Sequence, residues 1–281
     1  MNGRIRMYGV DVSDNQGYIN WPKVKAAGVH FAILRTVRRS GNPDKQLASN
    51  IKGCKECGIP FDFYKYSYAL NTADARDEVK RVVEVLAGYG VMPSKNIVIW
   101  ADIEDSSQMA LSTSELTEIV RAFKEEVLAA GFEFGLYMGK YRYDIREIDT
   151  SAFNDHIWIA RYYNGYNVMP FCEHPNESYI PTVKAGTLWG WQYTSSGRVD
   201  GISGNVDLNE CYYNIKDTEV EPEYYQTPEF TLIDSLNKIG ADSSFKNRAY
   251  IAAKNGIYQY TGTKEQNLKL LELLNDGKLV K

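Results

Sequence analysis

The chain has 281 residues, of which 44% are hydrophobic and 24% charged, proportions that are ordinary for a globular protein. The formal net charge of −4 gives no reason to expect a nucleic-acid binder. No segment reaches the roughly 18 apolar residues of a membrane span, so we expect no membrane partner. Tyrosine is unusually frequent: the 21 Tyr and 5 Trp side chains could pack a core or form the flat surfaces that sugar-binding clefts need.

The first residues and the cysteines predict a protein made in the cytoplasm. The N-terminal segment lacks the apolar stretch of a secretory signal peptide. Four cysteines are then expected as free thiols. Cys54 and Cys57 form a CxxC pair, but no second pair or nearby His accompanies it, so we expect no metal and no cofactor.

Strand-like and helix-like segments alternate between residues 8 and 208. Apolar, β-branched and aromatic runs predict eight strands, at Tyr8–Val12, Val29–Val37, Phe61–Tyr68, Asn96–Glu104, Glu133–Met138, Ile157–Tyr163, Leu188–Thr194 and Asn205–Leu208. Apolar residues recur at helical spacing between the early strands, which predicts helices there. One of these helices begins with Ser112 and Glu115 in capping-box spacing. Helical patterns fade after the fifth strand. We therefore predict an α/β fold, a (β/α) barrel that is irregular because helices are missing after strand five.

The composition changes near the acidic, proline-punctuated segment 219–228. Beyond it, apolar positions at helical spacing predict three short helices. From Gln226 onward, 8 Lys and Arg residues against 6 Asp and Glu residues give a net charge of +2. We predict a barrel domain over residues 1–217, a linker over 218–228 and a small all-α module over 229–281. The alternative is a C-terminal extension packed on the barrel.

The segment Trp100-Ala-Asp-Ile-Glu places two acids at the end of a buried strand. Because side chains alternate along a strand, Asp102 and Glu104 face the same way, about 6–7 Å apart. At the carboxyl end of a barrel strand, that direction leads to the mouth where catalytic groups of this fold lie. Burying two acids together is costly unless they are hydrogen-bonded or share a proton. Acids at strand ends also cap helices, so this pattern alone is not specific.

Other predicted strand ends carry matching groups. The first strand ends at Asp11, and the last carries Asp207, which lies beside Asp11 once strand eight closes against strand one. Aromatic side chains fall at further strand ends, at Tyr64, Tyr66, Tyr162, Trp191 and Tyr193. A mouth of carboxylates and aromatics suits glycoside hydrolysis, whose oxocarbenium-like transition state needs a proton donor and nearby negative charge.

Seven short motifs extend this interpretation. They are Gly9-Val-Asp-Val-Ser-Asp-Asn-Gln-Gly, Ile19-Asn-Trp, Trp100-Ala-Asp-Ile-Glu, Gly135-Leu-Tyr, Trp158-Ile-Ala-Arg-Tyr, Trp191-Gln-Tyr-Thr-Ser-Ser-Gly and Gly201-Ile-Ser-Gly-Asn-Val-Asp-Leu-Asn. In these motifs and their order, the sequence between Tyr8 and Tyr212 resembles the family 25 glycoside hydrolases, lysozymes that cut bacterial peptidoglycan.

The resemblance implies hydrolysis of the β-1,4 bond between N-acetylmuramic acid and N-acetylglucosamine, with net retention by substrate-assisted catalysis. Glu104 falls on the family's general acid, Asp102 on its partner carboxylate, and Asp11 and Asp207 on two further acids of the site. The expected substrate-binding residues are Tyr64, Tyr66, Tyr137, Tyr162, Trp191 and Gln192. Asp62 and Lys65 stand where the family often has Gly and His, which puts contacts near Tyr64 in doubt.

The expected partners are therefore peptidoglycan glycan strands and, through the C-terminal module, a secondary wall polymer. An enzyme of this kind without a signal peptide suits an endolysin that reaches the wall after phage lysis. Two alternatives stay open. The barrel could bind peptidoglycan without cutting it, although binding alone would tolerate amides at the four acids, or it could be a structural phage protein.

Overall fold

The computed structural model describes residues 6–153, 156–212 and 231–281. The strands in these ranges are β1 (Met7–Val12), β2 (Phe31–Arg35), β3 (Phe61–Tyr66), β4 (Val98–Asp102), β5 (Glu133–Gly139), β6 (His156–Ala160), β7 (Met169–Pro170), β8 (Thr187–Arg198) and β9 (Val206–Cys211). The helices are α1 (Trp21–Ala26), α2 (Leu47–Glu56), α3 (Thr72–Gly88), α4 (Thr113–Ala129), α5 (Lys140–Asp144), α6 (Leu232–Lys238), α7 (Phe245–Lys254) and α8 (Lys264–Asn275).

The strands form one sheet that closes on itself. Its order is β6-β5-β4-β3-β2-β1-β9-β8-β7, and a further pairing between β6 and β8 completes the barrel. Eight strands thus form the barrel, while the two-residue β7 pairs, among the described strands, with β8 alone. The helices of the described chain between β5 and β8 are limited to the five-residue α5 and short 3-10 turns. The predicted irregular (β/α) barrel is confirmed.

The eighth barrel strand runs in the opposite direction to the others. β9 pairs antiparallel with both β1 and β8, whereas the remaining pairings around the barrel are parallel. Asp207, near the start of β9, is the register partner of Asp11, near the end of β1. The antiparallel direction therefore brings the beginning of the last strand to the same end of the barrel as the ends of the others.

Several strand boundaries differ from the prediction. β4 ends at Asp102, so Glu104 lies in the loop after the strand and not in the strand itself. β8 is longer than predicted, with irregular register towards its end, and the short β7 was not predicted. The Ser112 capping box at the start of α4 is present as expected.

Aromatic side chains fill the barrel interior. Trp100 and Trp158 pack with ring centroids 5.6 Å apart, and Trp189 lies 4.6 Å from Trp100. Gly135 on β5 makes room for this cluster, because a Cβ atom there would come within 2.3 Å of the Trp100 ring. The interior is therefore a packed floor beneath the mouth and not a channel.

The described chain divides into two compact units. The first comprises residues 6–82, 93–153 and 156–212. The second comprises residues 83–92 and 231–281 and has its own apolar core, built mainly from α6, α7 and α8 with Leu236, Leu270 and Leu274 fully buried. In this unit a Cβ atom at Gly90 would lie 2.2 Å from that of Ala253, so the two segments pack closely. The three predicted helices are present; the predicted linker 218–228 lies outside the described residues.

Two smaller sequence features can be placed as well. In the described parts of the chain, no helix has the length and apolarity that crossing a membrane requires. The cysteines at positions 54 and 57 lie at the end of α2 and just after it as free thiols, with the first of them buried.

Candidate active site

Three barrel strands bring carboxyl groups to one end of the barrel. Asp11 on β1 faces Asp207 on β9 across an antiparallel pair. Asp102 is the last residue of β4, and its register partners are Tyr66 on β3 and Tyr137 on β5. Asp102 is only 5% exposed, and its Oδ1 has no hydrogen-bond partner among the described residues.

Glu104 reaches the same place from the loop after β4. Its side chain is more exposed than that of Asp102. The backbone of this loop is held by Arg142, whose Nη2 donates to the carbonyl of Glu104 at 2.9 Å and to that of Asp105 at 3.3 Å. Arg142 is in turn paired with Glu147 at 3.2 Å. These contacts fix the position of the Glu104 backbone at the end of the barrel.

The four acids line one cavity of about 460 Å³, which is within the usual range for a small-ligand site. Its lining includes most of the residues predicted from the sequence: Asp11, Tyr64, Tyr66, Asp102, Glu104, Tyr137, Tyr162, Gln192 and Asp207. The structure thus brings the four predicted acids together with tyrosines. No group of three or more His, Cys, Asp and Glu in the described ranges is arranged to hold a metal ion.

Trp191 does not belong to this cavity, and its prediction as a substrate-binding residue was wrong. The side chain is fully buried, and its Nε1 donates to the carbonyl of Arg161 at 2.6 Å. Side chains alternate along β8, so once Gln192 faces the cavity, Trp191 faces the other side. Tyr193 also lies outside the cavity, where its ring packs edge to face with that of Trp191 at a centroid distance of 5.9 Å.

The two departures from the family pattern lie elsewhere too. Lys65 is buried with its Nζ 3.1 Å from a Glu78 carboxylate oxygen. Asp62 is buried in the barrel, where it accepts a hydrogen bond from the Val98 N–H at 2.9 Å. Neither residue lines the cavity. Asp62 and Lys65 therefore do not contribute to the surface around Tyr64 that a ligand would meet.

Residues that the sequence argument missed also line the cavity. They are Asn15, Arg35, Val37, Arg38, Arg39, Tyr68 and Trp158. Most belong to loops after β1, β2 and β3, where no periodicity shows which way a side chain points. Arg35 is committed to an ion pair with Asp14 and to another with Asp44, the latter at 2.7 Å.

Crowding of the carboxyls alters their protonation. Burial raises the pKa of Asp102 well above its usual range, and the charges of Glu104 and Asp11 raise it further. Burial likewise raises the pKa of Glu104, with Asp11 adding to the rise and Arg142 opposing it. The pKa of Asp207 is raised by burial and further by the charges of Asp11 and Glu104. The site can therefore hold a protonated carboxyl beside ionised ones, which is the requirement for general acid catalysis.

Asp11 differs from the other three because its carboxylate is hydrogen-bonded to buried amides. Its Oδ2 accepts from Gln192 Nε2 at 3.0 Å and from Asn209 Nδ2 at 2.8 Å. Burial raises the pKa of Asp11 to about 6, and these two hydrogen bonds oppose the rise. Asn209 was not predicted, although it stands two residues after Asp207 and so shares its face of β9.

Comparison with known proteins decides the family. The model of the glycosyl hydrolases family 25 matches residues 10–202, which include Asp11, Asp102 and Glu104. The chain belongs to this family. Asp207 lies just beyond the matched range, so its place in the site rests on the β1–β9 register.

Individual relatives are distant in sequence. The autolytic lysozyme of Clostridium acetobutylicum is 25% identical over 204 residues, which cover 73% of this chain and 55% of that protein. Lysozyme M1 of Streptomyces globisporus is 26% identical over 208 residues, covering 72% of this chain and 66% of that protein. The chain thus spans between about half and two thirds of the length of these relatives.

Solved structures of similar proteins share the barrel fold. The modular autolysin LytC from Streptococcus pneumoniae, solved in complex with a synthetic peptidoglycan ligand, superposes with a TM-score of 0.58 at 26% identity. That match covers 75% of this chain and 48% of LytC. The lysozyme of Streptomyces coelicolor shows the same fold, with a TM-score of 0.58 at 22% identity. This match covers 74% of this chain and 93% of the Streptomyces chain.

The buried Asp102 should make the native protein less stable as pH rises. Its pKa is raised on folding, so native protein binds the proton more tightly than unfolded protein, and stability falls from about pH 4 upward. Asp102→Asn cannot ionise. We expect this variant to match wild type near pH 4 and to exceed it near pH 8 in urea unfolding, while losing activity.

Asp105→Asn is the matched control. Hydrogen bonds from Ser107 lower the pKa of Asp105, so this carboxylate contributes stability when ionised. Its amide variant should gain nothing near pH 8. An Asp102→Asn protein less stable than wild type near pH 8 would contradict the burial argument.

Proposed function

We propose that this chain is a lysozyme, an N-acetylmuramidase that hydrolyses the β-1,4 bond between N-acetylmuramic acid and N-acetylglucosamine in bacterial peptidoglycan. The observation that carries the proposal is the meeting of Asp11, Asp102, Glu104 and Asp207 in one tyrosine-lined cavity of a family 25 barrel. Relatives named as lysozymes support the substrate class.

In this proposal Glu104 is the general acid that protonates the leaving glycosidic oxygen. It has the raised pKa that a donor needs to stay protonated near working pH. Its greater exposure suits a group that meets a substrate arriving from solvent. The tyrosine rings supply flat apolar faces for sugar rings, while their hydroxyls can bind sugar oxygens.

Asp102 acts as the electrostatic partner. Its unpaired, buried Oδ1 is an acceptor that could orient the N–H of the substrate's 2-acetamido group. The acetamido oxygen then attacks the anomeric carbon as the leaving group departs, and water later opens the ring intermediate from the opposite face. No protein nucleophile is needed, and the product keeps the β configuration.

The general-acid role is tested by Glu104→Gln. The amide cannot donate a proton to the leaving oxygen, so clearing of Gram-positive cell walls should slow by at least about 10²-fold. Glu118→Gln, an exposed change on α4, should clear walls at the wild-type rate. Wild-type clearing by the Glu104 variant would refute the assignment, and binding of walls without clearing by wild type would favour the non-catalytic alternative.

The stereochemical course is tested by following fresh product with proton NMR. Participation of the acetamido group predicts that the β anomer appears first and mutarotates later. A single displacement by water would instead give the α anomer first, as in inverting enzymes whose carboxyls stand about 6.5–9.5 Å apart. Initial α product would contradict the participation mechanism.

We also propose that the C-terminal module over residues 229–281 binds wall polymer. Its net positive charge would favour contact with anionic Gram-positive walls, and tethering would raise the concentration of catalytic domain there. Tyr260 is unavailable for this contact, because it is buried in the module core and hydrogen-bonded to Asn267. Tyr258 and Lys264 are more accessible and are the better candidates.

The double variant Tyr258→Ala with Lys264→Glu tests the module. We expect binding to purified walls to weaken about tenfold, the loss typical of removing an interfacial aromatic anchor, with unchanged hydrolysis of soluble glycan fragments. Lys52→Glu makes the same charge change on α2 and should leave wall binding intact. Point changes are preferable to truncation, because residues 83–92 pack with this unit. Undiminished wall binding by the double variant would contradict this location of the contact.

A further inference from the structure

A buried asparagine lies directly beneath the carboxyls of the cavity. Asn209 on β9 is fully buried and contacts two polar side chains. Its Nδ2 donates to Asp11 Oδ2 at 2.8 Å, and its Oδ1 accepts from Trp158 Nε1 at 3.0 Å. Asp11 is the register partner of Asp207, so Asn209 reaches it diagonally from the neighbouring strand.

The chemistry of Trp158 fixes the orientation of this amide. An indole N–H can only donate a hydrogen bond, so the atom of Asn209 that faces it must be the carbonyl oxygen. The NH₂ group must then face Asp11. Turning the amide over would set an N–H against an N–H and leave the carboxylate facing an oxygen, which costs two buried hydrogen bonds.

A second amide adds to the same oxygen of Asp11. Gln192 Nε2 donates at 3.0 Å, and Gln192 Oε1 accepts from the hydroxyl of Tyr137 at 2.9 Å. Two donors on one carboxyl oxygen favour the ionised form, because a carboxylate accepts more strongly than a carboxylic acid.

We infer that Asn209 is a positioning residue which, held in one orientation by Trp158, keeps Asp11 ionised and fixed at the cavity. The catalytic part of this inference rests on the proposed function. In the proposed lysozyme reaction, the ionised Asp11 favours a protonated Glu104 and stabilises the positive charge that develops on the sugar ring. Asn209 itself touches neither the sugar nor the leaving group and acts through Asp11.

Other charged or titratable groups also interact with Asp11 and Glu104, and they affect the protonation of these two acids together with Asn209. Around Asp11 these are Asp207 on β9, Arg35 on β2, Tyr64 on β3, Asp102 on β4, Tyr137 on β5 and Tyr162 after β6. Around Glu104 they are, in addition to Asp11, the charged groups of Asp102, Asp105, Arg142 and Asp207 and the hydroxyls of Tyr66, Tyr137 and Tyr162. Asp207 and Asp102 repel the charge on Asp11, so the two amide donors oppose that repulsion.

The test compares Asn209→Asp and Asn209→Leu with wild type in the full chain. Asp keeps the size of Asn but cannot donate when ionised, while Leu removes both hydrogen bonds. In each variant Asp11 should protonate at higher pH, so the acid limb of kcat/KM for glycan hydrolysis should move up by about one pH unit or more. In Asn209→Leu, which adds no charge, the basic limb should stay in place, because Asp11 is ionised there as it is in wild type.

Trp158→Phe tests the orientation of the amide. It removes the only donor to Asn209 Oδ1 among the described residues and allows the amide to turn. The acid limb should move in the same direction by a smaller amount.

Asn50→Leu is the matched control. Asn50 on α2 is also buried and accepts from an indole, Trp21 Nε1, at 3.3 Å, but neither residue lines the cavity. This variant should lose stability without moving either limb of the profile. A purely structural role for Asn209 would give the same result as Asn50→Leu.

Titration of the Asp11 carboxyl by carbon-13 NMR separates this inference from the proposed function, since it needs no turnover. Upward shifts of both the Asp11 titration and the acid limb in the Asn209 variants support the inference. An unchanged titration or an unchanged acid limb overturns it. A wild-type protein that cuts no glycan would refute the proposed function, and the NMR titration would still decide whether Asn209 holds Asp11 ionised.

Discussion

The crowding of four carboxyl groups in one desolvated cavity is the constraint on which the rest of the site depends. Like charges in a barrel mouth cannot all ionise near neutral pH, so the protein must determine which of them keep protons. The acids have different environments: Oδ1 of Asp102 is buried without a hydrogen-bond partner among the described residues, Glu104 is the most open, and Asp11 is hydrogen-bonded to two amides. A set of chemically similar groups thereby acquires different protonation states, as acid catalysis requires.

The reversed last strand makes this arrangement possible. In an all-parallel barrel, groups at the mouth come from the carboxyl ends of strands. Because β9 runs antiparallel, its second residue, Asp207, reaches the mouth, and Asn209 lies one step deeper on the same face. A parallel β9 would place Asp207 towards the floor and remove the donor beneath Asp11.

Much of this was accessible from the sequence, for reasons that can be stated residue by residue. Alternation along the predicted fourth strand placed Asp102 and Glu104 on one side, and both line the cavity although Glu104 lies in the loop after β4. Barrel closure placed Asp207 beside Asp11. Trp191 was misplaced because period-two counting shows which residues share a face, not which face is inside, and β8 has register irregularities. Loop arginines such as Arg38 were missed because their direction depends on tertiary contacts.

The hydrogen bonds of Asn209 and Gln192 also explain why these polar side chains are tolerated among the aromatic side chains of the barrel interior. An apolar residue at position 209 would leave the Trp158 N–H and a lone pair of Asp11 buried without partners, a cost of about 1–3 kcal/mol for each group. An acid there would add a fifth negative charge. Asn satisfies both neighbours with one orientation, because one of its ends accepts and the other donates. The same hydrogen bonds that complete the packing of the barrel interior thus set the charge of the cavity above it.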